Sequence, residues 1–352
     1  MEFLTADATL VALVGAFGGI ALGLAARLGR FCTLGAIEDA LYGGSTLRLR
    51  MWALAIGVAV LGSFSLIGLG LLDPMQAFYL TRPFSILASA LGGLTFGYGM
   101  ALAGNCGFGA IARLGGGDLR SFVIVLVMGI STYVVLSGPL AQARVWAFPN
   151  EGTVTRPNGI AHGLEALTGL SSIAIGLAIG LLICAAALWR GPLGSAPKSM
   201  FWASIVGLAI VSGWAGTMWV ANTGFEGTPV VSHTFSAPVG DTILFAMLSS
   251  GLSLSFGVGS VVGVWLGAFI GSLIKGHFRW EACEDPRELR RQILGSVLMG
   301  AGAVVASGCT IGQGVSAFSL LSYSAPVTLL AIFAGCAFGL RQLIEGFHAS
   351  AE

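Results

Sequence analysis

Gly97-Tyr-Gly-Met-Ala-Leu-Ala-Gly-Asn-Cys106-Gly-Phe-Gly109 and Gly300-Ala-Gly-Ala-Val-Val-Ala-Ser-Gly-Cys309-Thr-Ile-Gly312 spell one pattern twice. Both read Gly-x-Gly-x6-Cys-x2-Gly; Ala103 matches Ala306 and Gly92 matches Gly295. Matched spacings around so rare a residue argue for a duplicated element rather than a coincidence of Gly-rich sequence. A weaker echo lies upstream, where Cys32-Thr-Leu-Gly-Ala-Ile resembles Cys106-Gly-Phe-Gly-Ala-Ile. The interval from Cys32 to Cys106 then predicts a fourth element near Phe235, where Ser232-His-Thr-Phe-Ser-Ala-Pro238 carries no cysteine.

These elements interrupt a strongly apolar chain. Of 352 residues, 55% are hydrophobic and 9% charged, against about 25% charged in soluble domains. With a mean hydropathy of +0.89, this excludes a soluble enzyme carrying one greasy anchor. A net charge of +1 with scattered basic residues excludes a nucleic-acid surface. A crossing helix needs about 20 apolar residues. Such runs occur at 8–27, 51–72, 83–103, 119–140, 170–189, 200–220, 253–274, 293–308 and 324–343. Barrel strands would alternate over ~10 residues, so the expected class is an all-α polytopic membrane protein. Met1–Thr9 holds no Lys or Arg, unlike the basic start of a cleaved signal peptide; the first run is expected to be retained.

Four stretches, 28–44, 104–118, 221–250 and 309–323, are too short or too rich in Gly, Pro and polar residues to cross. Irregular backbone at membrane depth survives only where protein buries it or a cavity receives it. We read them as half-helices that stop inside the membrane. The chain then divides into halves, 1–140 and 200–343, joined by the outside loop and lone span of 141–199 and followed by a tail, 344–352. An odd connector inverts one half relative to the other, the plan of many transporters, and the first functional expectation is transport. Lys and Arg concentrate in cytoplasmic loops. Arg48 with Arg50, Arg113 with Arg120, Arg190 with Lys198, and Lys275 to Arg291 fit one path: N-terminus outside (periplasmic), nine spans, C-terminus inside. Arg144 and Arg156 fall on the outer side of that path.

Six cysteines occur, at positions 32, 106, 184, 283, 309 and 336, with no zinc-type spacing. Cys184 and Cys336 sit in ordinary apolar runs, where a thiol serves as a small hydrophobe, and Cys283 lies in a charged loop. Cys32, Cys106 and Cys309 each begin a half-helix. The bland reading is tight packing at helix junctions; the functional one is a line of soft, polarizable thiols suited to a sulfur-containing solute. Each half-helix start offers free N–H groups and roughly half a positive charge. Four together approach about two charges, enough to offset much of a dianion. Thr33, Asn105 and Thr310 are candidate caps that would quench this attraction; together with Gly107 they are also candidate secondary contacts of the path.

Arg30 is an intramembrane functional candidate, whereas Arg27 reaches the interface. Glu38 and Asp39 pair with such arginines or lie at the interface, and His233 is a secondary candidate in the cysteine-free element. His162 and Glu165 read as solvated. A full crossing by 83–103 would put Cys106 near the cytoplasmic face unless the chain breaks at Gly97 or Gly99.

Gly29-Arg-Phe-Cys32-Thr-Leu-Gly-Ala, the Gly97–Gly109 stretch and Ser307-Gly-Cys309-Thr-Ile-Gly resemble the YeeE/YedE sulfur-transport family of bacterial inner-membrane proteins, over essentially the whole chain. The resemblance implies thiosulfate uptake by an hourglass-shaped molecule with nine spans and four half-helices. Cys32, Cys106 and Cys309 would pass the ion along by weak S–H contacts. It also implies a cytoplasmic TusA-type sulfur carrier, which would be a separate polypeptide, since no such domain precedes Glu352. Asn105 stands where many members have a second Gly. Selenium and other sulfur compounds are alternative substrates within the resemblance.

No GxxxxGK[ST] occurs, which excludes ATP-driven pumping by this chain alone; no cofactor or metal is expected. Three readings compete: a permease, a sulfurtransferase forming a cysteine persulfide, and a passive scaffold. The absence of His or Lys next to Cys106 or Cys309 in sequence argues against an activated nucleophile, so the expectation is a transporter without enzymatic activity.

Overall fold

A computed structural model describes residues 6–149, 154–225, 227–282 and 285–346. Among these the secondary structure is helical, with three isolated bridges between loops. The long helices are α1 (Ala6–Leu28), α3 (Leu47–Gly68), α4 (Ile86–Ala103), α6 (Leu119–Leu136), α9 (Ser172–Leu188), α10 (Pro197–Thr223), α12 (Phe256–Ile274), α13 (Pro286–Val305) and α14 (Ser324–Glu345). The short ones are α2 (Thr33–Leu41), α5 (Gly107–Leu114), α7 (Ala141–Ala147), α8 (Ile160–Thr168), α11 (Ser236–Leu248) and a π-helical segment, Gly312–Ala317. The molecule is a polytopic helical membrane protein.

Each expected span coincides with a long helix, and seven are both long and apolar enough to cross. The other two differ for visible reasons. α9 has 17 residues. α13 begins at Pro286 rather than 293 because Asp285 caps it, accepting from Arg287 N at 2.8 Å, and a proline suits the first helical position. Its first turns carry Arg287, Arg290 and Arg291 and so extend beyond the hydrocarbon. The loop 141–169 is partly helical, holding α7 and α8. His162 is not simply solvated: it is half-buried against Phe64, ring centroids 6.5 Å apart, and burial lowers its pKa. Cys283 lies outside the described residues.

Helix packing repeats when the two ends of the chain are exchanged. α1 packs on α12 as α10 packs on α3; α4 packs on α14 as α13 packs on α6; α2 meets α14 as α11 meets α6. The pairs α1–α10 and α4–α13 map onto themselves. The duplicated glycines explain the last crossing. A Cβ on Gly99 would stand 2.6 Å from Gly295 O, and one on Gly92 would stand 2.8 Å from Gly302 O. The two matched pairs therefore cross over: Gly99 faces Gly295, the match of Gly92, and Gly92 faces Gly302, the match of Gly99.

The α1–α12 crossing uses the same device more extensively. Gly15, Gly19 and Gly23 lie on one face of α1, and Gly259, Gly263 and Gly267 on the facing side of α12. A Cβ on any of these would run into a backbone carbonyl of the other helix. Between membrane helices there is little hydrophobic drive, so close backbone approach supplies the association.

α4 is unbroken through Gly97 and Gly99, so no reversal there lifts Cys106. The chain turns only at Gly104, in the left-handed conformation (φ 71°). Cys106 is nevertheless fully buried, at the N-cap of α5.

Candidate functional site

The residue two before each cysteine is left-handed: Arg30 (φ 55°), Gly104 (φ 71°) and Ser307 (φ 56°). For a residue with a side chain this costs about 1–2 kcal/mol, so two of the three turns are held against their own preference. Cys32 (φ −149°, ψ 132°) and Cys106 (φ −86°, ψ 168°) then take the extended N-cap conformation. Ser307→Val is expected to lower the apparent melting temperature in detergent, since a β-branched residue tolerates this region worst, while Ser307→Gly leaves it near wild type.

The caps are sulfur, not the hydroxyls and amide that the sequence suggested. Cys106 Sγ accepts from Gly109 N at 3.3 Å. Cys309 Sγ accepts from Gly312 N at 3.5 Å and from Phe235 N, at the start of α11, at 3.3 Å. Sulfur is a weak acceptor, so these N–H groups keep most of their attraction for a better one. α2 and α11 have no side-chain cap.

Hydroxyls link the sulfurs. Thr33 Oγ1, one residue beyond Cys32, donates towards Cys106 Sγ at 3.9 Å. Thr310 Oγ1, one beyond Cys309, is buried beside the Cys106 thiol without a partner in ordinary hydrogen-bond geometry. Thr234 Oγ1 lies 3.6 Å from Cys309 Sγ. Cys32 and Cys309 are both near enough to Cys106 to act on it electrostatically. Asn105 Oδ1, Ser236 Oγ and Thr310 Oγ1 are each buried without a hydrogen bond, one at the start of each of three half-helices. Such orphans cost about 1–3 kcal/mol apiece, unless a guest satisfies them.

A cavity opens on each side of this cluster. One, of about 340 Å³, is lined by Cys32 and Asn105 and by Arg27, Arg30, Arg48, Arg113 and Lys275, with Glu38. The other, of about 450 Å³, reaches Thr234, Tyr79 and Asp241. Cys106 and Cys309 line neither. They are buried between the two, beside Phe108 and Phe235, whose rings lie 5.3 Å apart.

The remaining candidates divide clearly. Arg30 is exposed in the basic cavity. Arg27 donates to Ser272 Oγ at 2.7 Å in the wall of the same cavity. Asp39 pairs with Arg48 at 3.2 Å. Burial and the neighbouring Arg30 and Arg27 lower the pKa of Lys275. Gly107 permits close packing, since a Cβ there would lie 2.7 Å from Met128 Cε. His233 is buried with Nδ1 2.6 Å from Ser260 Oγ, its ring 4.9 Å from that of Phe256; it does not reach the sulfurs. Cys336 is buried in α14 and Cys184 is half-buried in α9. Sequence reasoning missed Thr234, Ser236, Tyr79 and Phe108. Thr234 and Ser236 flank Phe235, the position the cysteine spacing had marked.

The family described as sulphur transport matches residues 28–338. The chain belongs to this family. Relatives of comparable length carry a name of their own. The protein named thiosulfate transporter TsuA of Escherichia coli is 27% identical over 335 residues, 92% of each chain. A protein of the same name from Spirochaeta thermophila is 25% identical over 326 residues, 89% of this chain and 94% of its own. Family membership and the apolar helices together make this a multi-pass membrane protein of sulfur transport.

Proposed function

We propose that the protein imports thiosulfate, or a closely similar sulfur oxyanion, across the bacterial inner membrane along a path lined by Cys32, Cys106 and Cys309. One observation carries this reading: half-helix starts from both halves converge on a buried cluster of thiols and unpartnered polar atoms. Positive ends of helix dipoles, under-used N–H groups and soft sulfur suit a guest that is both doubly negative and partly sulfur. The named relatives support the same substrate. Desolvating an unpaired anion is very costly, and this convergence compensates for it without a buried Lys.

The two halves, 1–140 and 200–343, act as inverted repeats about that cluster. The basic cavity opens to the cytoplasm, by the positive-inside rule, so the N-terminus is periplasmic and the cavity at Tyr79 and Asp241 receives the anion. Arg30 and Asn105 assist on the exit side, beside Cys32. A separate TusA-type carrier works beside the protein on the cytoplasmic side. His233 and Gly107 serve the framework.

The test is growth on thiosulfate as sole sulfur source in a strain lacking other uptake. Cells expressing the protein grow, and failure with the protein present in the membrane overturns the proposal. A membrane sulfurtransferase is the competing reading. The described neighbours of Cys106 and Cys309 are hydroxyls, N–H groups and other thiols rather than a base, which favours transport. Mass spectrometry of the intact protein after thiosulfate exposure is expected to show unmodified thiols; a stable persulfide on Cys106 or Cys309 would favour the enzyme.

A further inference from the structure

Asp241 lies in the wall of the cavity at Tyr79, an unexpected neighbour for an entering anion. It sits in the middle of α11, six residues beyond the N-terminal Phe235, and Tyr133 of α6 donates its hydroxyl to Asp241 Oδ1. Among the described residues, no Lys, Arg or His forms an ion pair with it. The elements packed on α11 are α6, α12 and α13. α6 presents Tyr133, Phe256–Ile274 contains no titratable side chain, and the charged residues of α13 lie in its first turns, at the opposite end from Val305. Among the described residues, Tyr79 is the other titratable residue of that cavity wall.

A carboxylate at membrane depth without a cation is costly, and here it would also repel the guest. Its acid form removes both penalties. Exchange of the halves pairs Phe235 with Cys32 and hence Asp241 with Glu38, which also lies six residues after its half-helix start. Glu38 lines the other cavity, among Arg27, Arg30, Arg48, Arg113 and Lys275. The two ends of the path thus carry corresponding carboxyl groups, one surrounded by cations and the other, among the described residues, held by a phenol.

We propose that Asp241 is a proton-binding site, and that a dianion enters the adjoining cavity only when this carboxyl is in its acid form. Uptake is then governed by the pH of the compartment facing that cavity. The inference rests on the transport reading above and deepens it by naming what controls entry. Thiosulfate itself stays a dianion across the range concerned, so the titrating group belongs to the protein.

The test uses the full chain purified into vesicles with a buffered interior. Initial uptake of radiolabelled thiosulfate is measured as the external pH is lowered from about 8 to about 5, a window that includes raised carboxyl pKa values. Wild-type uptake is expected to rise by up to about tenfold per pH unit while one proton binds. Asp241→Asn, which imitates the neutral acid, is expected to take up thiosulfate at a rate that ignores pH. Asp241→Glu keeps the dependence, and Tyr133→Phe displaces its midpoint. PH-independent uptake by the wild type, an Asp241→Asn variant with the wild-type slope, a folded Asp241→Asn variant that is inactive at every pH, or an unmoved midpoint in Tyr133→Phe would each overturn the proposal. Should Asp241→Asn fail to fold, the wild-type profile and the Tyr133→Phe midpoint still decide. Absence of wild-type uptake at every pH contradicts transport itself, whereas uptake that ignores pH contradicts only the role of Asp241.

Discussion

Cys309→Ala is expected to reduce thiosulfate uptake by at least about a hundredfold, about 2.7 kcal/mol in the barrier, with little loss of folded protein. Its sulfur holds three groups at once: Gly312 N of its own helix, Phe235 N at the start of α11, and Thr234 Oγ1. Alanine removes the soft atom through which these two half-helix starts are tied. The guest then meets a gap between the outer cavity and Cys106. Cys106→Ala is expected to act similarly, because Thr33 and Thr310 both lie against that sulfur. Cys184→Ala serves as control: that thiol lies in α9, packed near Gly57 of α3, and its loss leaves uptake within about twofold, the scale of an ordinary packing change. Uptake by cells or vesicles, normalised to protein in the membrane, reads all three. Near-wild-type rates in both Cys106→Ala and Cys309→Ala would make the thiols mere helix-junction packing.

Gly263→Leu is expected to abolish the folded protein. A side chain at this position of α12 meets the carbonyl of Ala16 on α1, and Gly19 opposite is equally closed by Ser260 O. Overpacking commonly costs about 1–3 kcal/mol where side chains can yield. Here the obstacle is backbone, so α1 and α12 must move apart along most of their contact. Since α1 leads directly into the Arg30–Cys32 turn, separation would also carry Cys32 away from Thr33's partner, Cys106. Gly194→Ala is the control, with the nearest atom to an added Cβ 3.9 Å away. Size-exclusion profiles and thermal aggregation in detergent are the readout: a symmetric wild-type peak for Gly194→Ala, and aggregation or no recoverable peak for Gly263→Leu. A well-folded Gly263→Leu protein would mean that the crossing is looser than the glycine faces imply.

The spans were readable because each is a near-continuous apolar run, and the half-helices because their polar, Gly-rich composition excludes a full crossing. The cysteine spacing even located the fourth element at Phe235. What composition did not show was the purpose of the repeated glycines: Gly92, Gly99, Gly295 and Gly302 seat one helix against its counterpart, and no break occurs at Gly97 or Gly99. Helix limits shifted where a polar cap outruns the apolar run, as Asp285 does before α13. The sulfur caps were not foreseen because propensity arguments rank hydroxyls and amides first at helix starts, whereas here the Cys106 and Cys309 sulfurs accept the free N–H groups. Asp241 and Tyr133 stand 108 residues apart, and a contact at such separation leaves no trace in local pattern. His233, a secondary candidate from its place beside Phe235, turns its ring to Ser260.

The central claim is that converging half-helix starts and three thiols select a sulfur-bearing dianion. Its most direct test is uptake of radiolabelled thiosulfate into liposomes holding only this protein, with sulfate in excess as competitor. Saturable accumulation in proteoliposomes, absent from empty vesicles and little affected by sulfate, is the predicted result. Counts no higher than in empty vesicles, or full displacement by sulfate, which matches the charge but offers no sulfane sulfur, would contradict it.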